Sequence, residues 1–556
     1  MSASRVTEKG PPPKSIDSSS ETTDHEQQSS QAIGFGSQGL QRKLGVKEVQ
    51  LFALSAAIGT NIFVSIGTAL PKAGPAGLFL GFMIWGICVL CVNECYGEMV
   101  TYMPVPSATV TFASKWVDEA LGFAMGWNYF MNMALLVPFE IVALSLMIGY
   151  WTDVMPAAAV VVIMMVIYFI LNVVSVSWFG AAEFYIGIFK VLLALGLIFY
   201  TFITMVGGNP HNDAYGFRYW NQPGAFAEHL VSGPSGHLCG VVAAMVQAGF
   251  TICGPEYLGM VAAETKNPRK VIRRAYKTFL LRVILFFVGS ALCIGIVIPY
   301  NDPTLAHLLG EGVSTGAASP YVISMQRLGI AGLGSVVNAG IMISLVSAGN
   351  ALLFSATRTL HGMASDGKAP RVFAYCTKNG IPLWALLASL SLCLLALLQV
   401  SESSAQVMNY LVVLITANQL LNHFSVSLTY IHFYRALSAQ GIDRNTLPYK
   451  GKFQPYTSYI AVTATGLLTL LLGFDLFVDI RNNWSIKYFF LDYAMLAFYA
   501  VLFVGWKVAK KTRWLKPMEV DLGLGEARSE IEAYEMILEE KPAGWFEKIL
   551  LKVVPM

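Results

Sequence analysis

Long apolar runs alternate with short polar connections along most of this chain. Twelve runs are long enough to cross about 30 Å of hydrocarbon. They lie near 49–70, 76–99, 122–151, 156–178, 182–206, 238–260, 279–300, 334–358, 382–400, 405–433, 457–479 and 486–508. The pattern predicts an all-α integral membrane protein with 12 transmembrane helices. Two of the runs are interrupted. The first, Val49 to Leu70, carries no charge, yet Ala57-Ile58-Gly59-Thr60-Asn61 at its middle is poor helix. Glycine costs about 1 kcal/mol relative to alanine in a helix, and Thr and Asn side chains compete for backbone hydrogen bonds. The sixth run holds Gly249, Gly254 and Pro255; proline removes a helical N–H and clashes with the carbonyl four residues earlier.

Freed N–H and C=O groups at membrane depth are tolerated only where they face protein, an aqueous cavity or a ligand. Interruptions at corresponding places in two halves point to an inverted-repeat transporter with its binding site between them. The other reading is that the glycines let helices approach closely. The expected organisation is a polar N-terminal tail over 1–48 and a transporter domain over 49–510. Within that domain, 49–206 is one set of five helices, 238–433 the next, and 457–508 two further helices. A C-terminal segment follows over 511–556.

Composition agrees. Soluble proteins carry roughly 25% charged residues, against 13% here, with 55% hydrophobic residues and a net charge of +3. Nothing in that balance calls for nucleic acid. Lys and Arg gather in alternate connections: Lys266, Arg269, Lys270, Arg273, Arg274 and Lys277; Arg358, Lys368, Arg371 and Lys378; Arg435, Arg444, Lys450 and Lys452; Lys507, Lys510, Lys511, Arg513 and Lys516. The opposite connections hold little beyond Lys72, Asp153, Arg218, Arg481 and Lys487. By the positive-inside rule both termini are cytoplasmic. Asn483-Trp484-Ser485 then lies outside and fits a glycosylation acceptor. The N-terminal tail has no apolar core of a cleavable signal; Asp17 to Ser30 reads as disordered, either a regulated tail or an inert one. Residues 519–540 read as an acidic amphipathic helix. Cys88, Cys91 and Cys95 share a helix face without a nearby histidine, which fits packing rather than metal, and no disulfide framework is readable.

The half-helix after Thr60 would point free N–H groups and its positive dipole end at a cavity, which suits a carboxylate. Carbonyls at half-helix C-termini suit an ammonium group, so a zwitterion of amino-acid size matches both. The substrate-facing candidates are Ser55, Ile58, Gly59, Thr60 and Asn61 in the first run and Phe250, Thr251, Cys253 and Gly254 in the sixth, with Phe250 as an aromatic lid. Ionisable residues inside membrane helices are costly and commonly functional. Lys190 either exchanges a proton during transport or is a fixed cation paired with a carboxylate. Glu256 is the carboxylate best placed for proton coupling or for sensing a cation. Glu140 reads as a structural hydrogen-bonding group, and Glu94 and Glu98 as interfacial. Ser344, Ser347 and Asn350 either line a cavity or pack helices.

Several long motifs together carry a family resemblance. They are Ala73-Gly-Pro-Ala-Gly77, Gly122-Phe-Ala-Met-Gly-Trp-Asn-Tyr129, Ala262-Ala-Glu-Thr-Lys-Asn-Pro-Arg-Lys270, Ser347-Ala-Gly-Asn350, Ala364-Ser-Asp-Gly-Lys-Ala-Pro-Arg371, Leu447-Pro-Tyr-Lys-Gly-Lys-Phe-Gln-Pro-Tyr456 and Glu519-Val-Asp521. From about Leu44 onward the chain resembles the fungal plasma-membrane amino-acid permeases of the amino acid–polyamine–organocation superfamily. The resemblance implies five-plus-five inverted repeats with two extra helices, alternating access and proton symport, with no cofactor. It implies a substrate carboxylate on the backbone at Ile58, Gly59 and Thr60, an ammonium facing Phe250 to Gly254, and Lys190 as a proton site.

Four departures fall at site positions. Asn61 replaces the second glycine of the usual Gly-Thr-Gly, and Pro106-Ser107-Ala108 stands where Ser-Gly-Ser is usual. Met133 takes the place of an aromatic, and Thr251-Ile-Cys-Gly-Pro255 stands where relatives have Ser-Phe and no proline. In these the chain looks like a divergent branch linked to carnitine and polyamine uptake. The leading expectation is a proton-coupled plasma-membrane permease for an amino acid or a related zwitterion or cation. The alternative is a transporter-like receptor that carries little flux. In either case trafficking and ubiquitination machinery would act at the tails. A channel and an enzyme are disfavoured: neither a filter or charge ring nor a phosphate loop, metal cluster or catalytic triad is readable.

Overall fold

The computed structural model describes residues 49, 58–105, 107–152, 154–174, 176–262, 265–306, 319–377, 380–478, 480–525 and 527–539. Every secondary-structure element among them is helical. A short helical turn α1 (Thr60–Phe63) leads through a 3-10 turn (Ser65–Ala69) into α2 (Leu70–Tyr102). Then come α3 (Glu119–Ile148), α4 (Ala157–Val174), α5 (Val176–Met205), α6 (Pro234–Thr251), α7 (Pro255–Val261), α8 (Pro268–Lys277) and α9 (Gly289–Val297). Helices α10 (Leu333–Ser365), α11 (Leu383–Ser391), α12 (Ser404–Ala439), α13 (Tyr456–Leu470) and α14 (Ile486–Lys510) follow, and α15 (Ala527–Glu539) is the last element described. Nine helices among the described residues are long and apolar enough to cross a membrane. Each expected segment from 76–99 onward contains helix among its described residues. Most of the first segment, including Ser55, and the N-terminal tail fall outside the described residues, as do Pro106, Lys378 and everything past 539.

The core is built on α3, whose faces are enclosed by α10 and α12, while α2 packs along α6. The α2–α6 contact is a close approach of backbones: a Cβ on Gly81 would lie 2.6 Å from the Ala244 Cβ and 3.0 Å from its carbonyl carbon. Small residues permit such approaches where apolar lipid gives helices no hydrophobic reason to associate. Apolar side chains left exposed on α4, α5 and α14, such as Val162, Phe199 and Val501, form the outer surface. In a bilayer they would face lipid tails. One large buried cluster surrounds the two interruptions, and a second fills the Lys/Arg-rich end.

Two local features depart from the simple helical expectation. α2 is kinked at Gly74 (φ 69°), where Ala76 N–H donates to Ala225 O at 2.8 Å and Ala227 N–H to Ala73 O at 3.2 Å. The connection around Ala225–Ala227 thus supplies the hydrogen bonds the kink gives up. Pro255 does not sit in mid-helix. It is at the first turn of α7, after the non-helical Ile252 and Gly254, where its fixed φ is tolerated and its missing N–H costs nothing.

At the Lys/Arg-rich end, Arg444 grips the buried Glu98 with two bonds of 2.9 and 2.7 Å. Lys507 and Thr512 bind Asp118. The stretch after α14 lies back over this end: Leu515 N–H donates to Val117 O at 2.9 Å, and Trp116 Nε1 to Asp521 O at 3.1 Å. Gln440 holds the Pro517 and Val520 carbonyls at 3.1 and 2.7 Å.

Candidate functional site

The two interruptions meet. Gly59 is in an extended conformation (φ −146°, ψ −149°), and helical dihedrals begin at Thr60. On the other side α6 makes its last helical bond from Ile252 N–H to Ala248 O at 2.8 Å. Cys253 N–H turns back to Thr251 O at 3.1 Å. Gly254 then takes φ 142°, and α7 begins. Asn61 Nδ2 lies 3.9 Å from Cys253 Sγ, within reach of a weak bond to sulfur. Ile58, Gly59, Thr60, Asn61, Phe250, Thr251, Cys253 and Gly254 are all buried. The Asn61 Oδ1 finds no hydrogen-bond partner among the described residues. A buried amide oxygen left this way is costly unless something else satisfies it.

Phe250 packs edge-to-face on Phe139, ring centroids 5.1 Å apart. This aromatic pair closes one side of the meeting point. Met133 is fully buried in the same core. Thr251 does not point into the gap: its hydroxyl donates back to Gln247 O at 2.8 Å. Glu140, expected to be a structural hydrogen-bonding group, accepts the Thr60 hydroxyl. A Cβ on Gly59 would come 3.3 Å from Glu140 Oε1 and 3.6 Å from the Ala348 Cβ of α10. A carboxylate of the protein itself therefore stands against the first residues of α1, where sequence reasoning expected a carboxylate of the substrate.

Lys190 is completely buried, and its Nζ lies 3.5 Å from Oε1 of Glu183, two turns earlier on the same face of α5. Glu183 in turn accepts the Ser347 hydroxyl of α10 at 2.5 Å. The fixed-pair reading of Lys190 has a partner in this structure. Asn350 accepts from Asn172 of α4 at 2.8 Å, whereas the buried Ser344 hydroxyl has no partner among the described residues. Glu256 opens α7; its Oε1 accepts from Gly254 N–H at 3.1 Å and from Gln419 Nε2 of α12 at 2.8 Å. Asn483 ends a short helical turn, Ile480–Asn483, well away from these residues in sequence.

The residues that sequence reasoning passed over are Glu183, Gln419, His423 and Asn132. Each sits inside an apolar run, where a lone polar residue reads as packing. A mark of something more was present: α12 concentrates Asn418, Gln419, Asn422 and His423 within two turns of a segment otherwise long and apolar enough to cross a bilayer.

With this geometry, similarity to known proteins becomes informative. The family model described as Amino acid permease matches residues 48–517. The chain is 38% identical to General amino acid permease AGP2 of Saccharomyces cerevisiae over 503 residues, covering 89% of this chain and 84% of the relative. It is 35% identical to Proline-specific permease of Emericella nidulans over 512 residues, 91% of this chain and 92% of the relative. It is 34% identical to Lysine-specific permease of Saccharomyces cerevisiae over 511 residues, 92% of this chain and 82% of the relative. The non-helical Gly59 before α1, facing the break between α6 and α7 in an all-helical bundle whose long helices reach membrane length, is matched along most of the chain by permeases. The chain belongs to the amino acid permease family.

Proposed function

We propose that this permease imports an amino acid, or a related small zwitterion or cation, across the plasma membrane by proton-coupled alternating access. The observation that carries the reading is the approach of the two interruptions, Asn61 to Cys253 at 3.9 Å, beside Glu140 and the Lys190–Glu183 pair. In this reading twelve spans form two inverted sets of five with two helices added, and both termini are cytoplasmic. The substrate amino group faces the backbone around Phe250 to Gly254. Its carboxylate takes the place beside Thr60 that Glu140 now holds, so Glu140 must yield or be protonated as substrate enters. Lys190 and Glu256 are the groups through which protons would couple.

Selectivity follows from chemistry. The unpartnered Asn61 Oδ1 is an acceptor, so it favours a substrate presenting N–H groups over a quaternary ammonium such as carnitine. The relatives named for proline and lysine bracket the range: a single ring nitrogen at one end, a second amine at the other.

The test is uptake in cells lacking their own permeases, offering labelled amino acids, carnitine and spermidine with and without a proton gradient. Gradient-dependent accumulation of one class establishes the symporter and names the group that the site holds. No uptake by correctly localised protein overturns transport and leaves the receptor reading. In the same cells, a mobility change on deglycosylation that disappears in Asn483→Gln would mark the connection before α14 as extracellular.

A further inference from the structure

We propose that Glu256 and His423 together hold a proton within the bundle, and that gain or loss of this proton is transmitted to the α6–α7 interruption at Gly254. The role in transport rests on the permease reading; the proton site itself does not.

Glu256 is 3% exposed and His423 is fully buried. Glu256 Oε2 has no hydrogen-bond partner among the described residues, and His423 Nε2 lies 3.5 Å from it. Gln419 stands between them. Its Oε1 accepts from Asn132 Nδ2 at 2.7 Å, which orients the amide. The Gln419 Nε2 therefore faces Glu256 Oε1 at 2.8 Å and His423 Nε2 at 3.0 Å.

Among the described residues, the other titratable groups around the Glu256 carboxylate are Tyr96 of α2, Tyr129 of α3, Cys253 at the interruption, Tyr257 of α7 and Tyr276 of α8. All are neutral acids. None supplies a positive charge. A carboxylate buried without one is strongly unfavourable, so a proton belongs to the pair.

It can be held in two ways. With His423 neutral at Nε2, that nitrogen accepts from Gln419, and the proton rests on Glu256. With His423 protonated, Nε2–H donates toward Glu256 Oε2 and the Gln419 N–H is turned away. One ring nitrogen cannot accept and donate at once, so the arrangements exclude each other. The carboxylate they compete for also accepts from Gly254 N–H at 3.1 Å, next in the chain to Cys253 and its Asn61 contact. Moving the proton between oxygen and nitrogen alters the charge on the group that fixes the interruption. On the same helix His423 Nδ1 and both amide atoms of Asn418 are buried without partners among the described residues. Such groups suit a path by which the proton enters from water and leaves to it.

The experiment is pH-difference infrared spectroscopy on the purified full chain in lipid, without substrate. Wild type should show a titrating buried carboxyl. In H423Q, which keeps an amide donor toward Glu256, its midpoint should rise by at least about one pH unit, a tenfold change in proton affinity. In E256Q that carboxyl signal should vanish. A carboxyl midpoint unchanged in H423Q, or a carboxyl signal that persists in E256Q, overturns the proposal. Uptake of labelled proline, lysine and glutamate in permease-deficient cells supplies the second reading. H423Q should lose the dependence of accumulation on external pH while still exchanging labelled for unlabelled substrate; an unchanged pH dependence overturns the coupling. Should wild type move none of these probes, the transport reading fails while the infrared titration still decides the pair.

Discussion

Gly254 stands at φ 142°, and a Cβ there would meet the Phe279 ring at 2.8 Å. Backbone strain of this kind costs about 1–3 kcal/mol, and the ring adds a clash. Gly254→Ala should therefore lower the melting temperature of the purified protein and abolish uptake; a variant melting and transporting like wild type would show that the interruption accepts a side chain. Lys190 gives a second case. Lys190→Ala leaves Glu183 buried beside Ser347, and stripping one partner from a buried pair costs roughly 3–5 kcal/mol. The double change Lys190→Met with Glu183→Gln should recover most of that stability in denaturation measurements without recovering proton-driven accumulation. If it recovers both, the pair is structural only. Gly254 and Pro255 were legible because glycine and proline act on their own backbone. The partner of Glu140 was not: Thr60 is 80 residues away, and nothing local marks a carboxylate as facing another helix's end. His423 was missed for the same reason, since its charge partner is Glu256 on α7.

At the scale of elements, the apolar runs from 76–99 onward anticipate where helices lie among the described residues, because membrane length and hydropathy leave little choice. What they leave out depends on contacts between distant pieces. The kink of α2 at Gly74 exists against the Ala225–Ala227 connection, and no periodicity within α2 announces it. The α2–α6 approach yields a paired prediction. Gly81→Leu forces a side chain into Ala244 and should cost about 1–3 kcal/mol by overpacking. Gly196→Ala in α5, where a Cβ would meet nothing within 4 Å, should stabilise the helix by up to about 1 kcal/mol. Thermal melts of the two variants in the same detergent should move in opposite directions. Equal shifts would mean that α2 and α6 are not in close contact.

For the whole molecule, the charged end matters as much as the apolar middle. Asp118 caps α3 and ties it to Lys507 in the last turn of α14 and to Thr512 just past it. Burial pushes its carboxyl up, but the bonds from Lys507, Thr512 and the Ala120 N–H outweigh this and leave it below the ordinary carboxylate range. A depressed folded-state pKa contributes stability above the unfolded value and loses it as pH falls through the folded one. The melting advantage of wild type over Asp118→Asn should thus hold at neutral pH and fade below the ordinary carboxylate range. An advantage that does not change with pH would assign it to packing. The positively charged connections were readable from sequence; that the stretch after α14 folds back onto Trp116, Val117 and Gln440 was not, because its anchors are carbonyls that any sequence could offer.

The approach of Asn61 to Cys253 has a practical side. All eight cysteines are free thiols, and this one is buried against the meeting of two chain breaks. It is a reporter already installed where, in the alternating-access reading, α1 would part from the break between α6 and α7. A membrane-permeant maleimide should react with it slowly while the breaks stay together and faster whenever they separate. In a variant with the other seven cysteines replaced, the labelling rate becomes a clock for opening, one that substrate and pH can be watched to wind or slow.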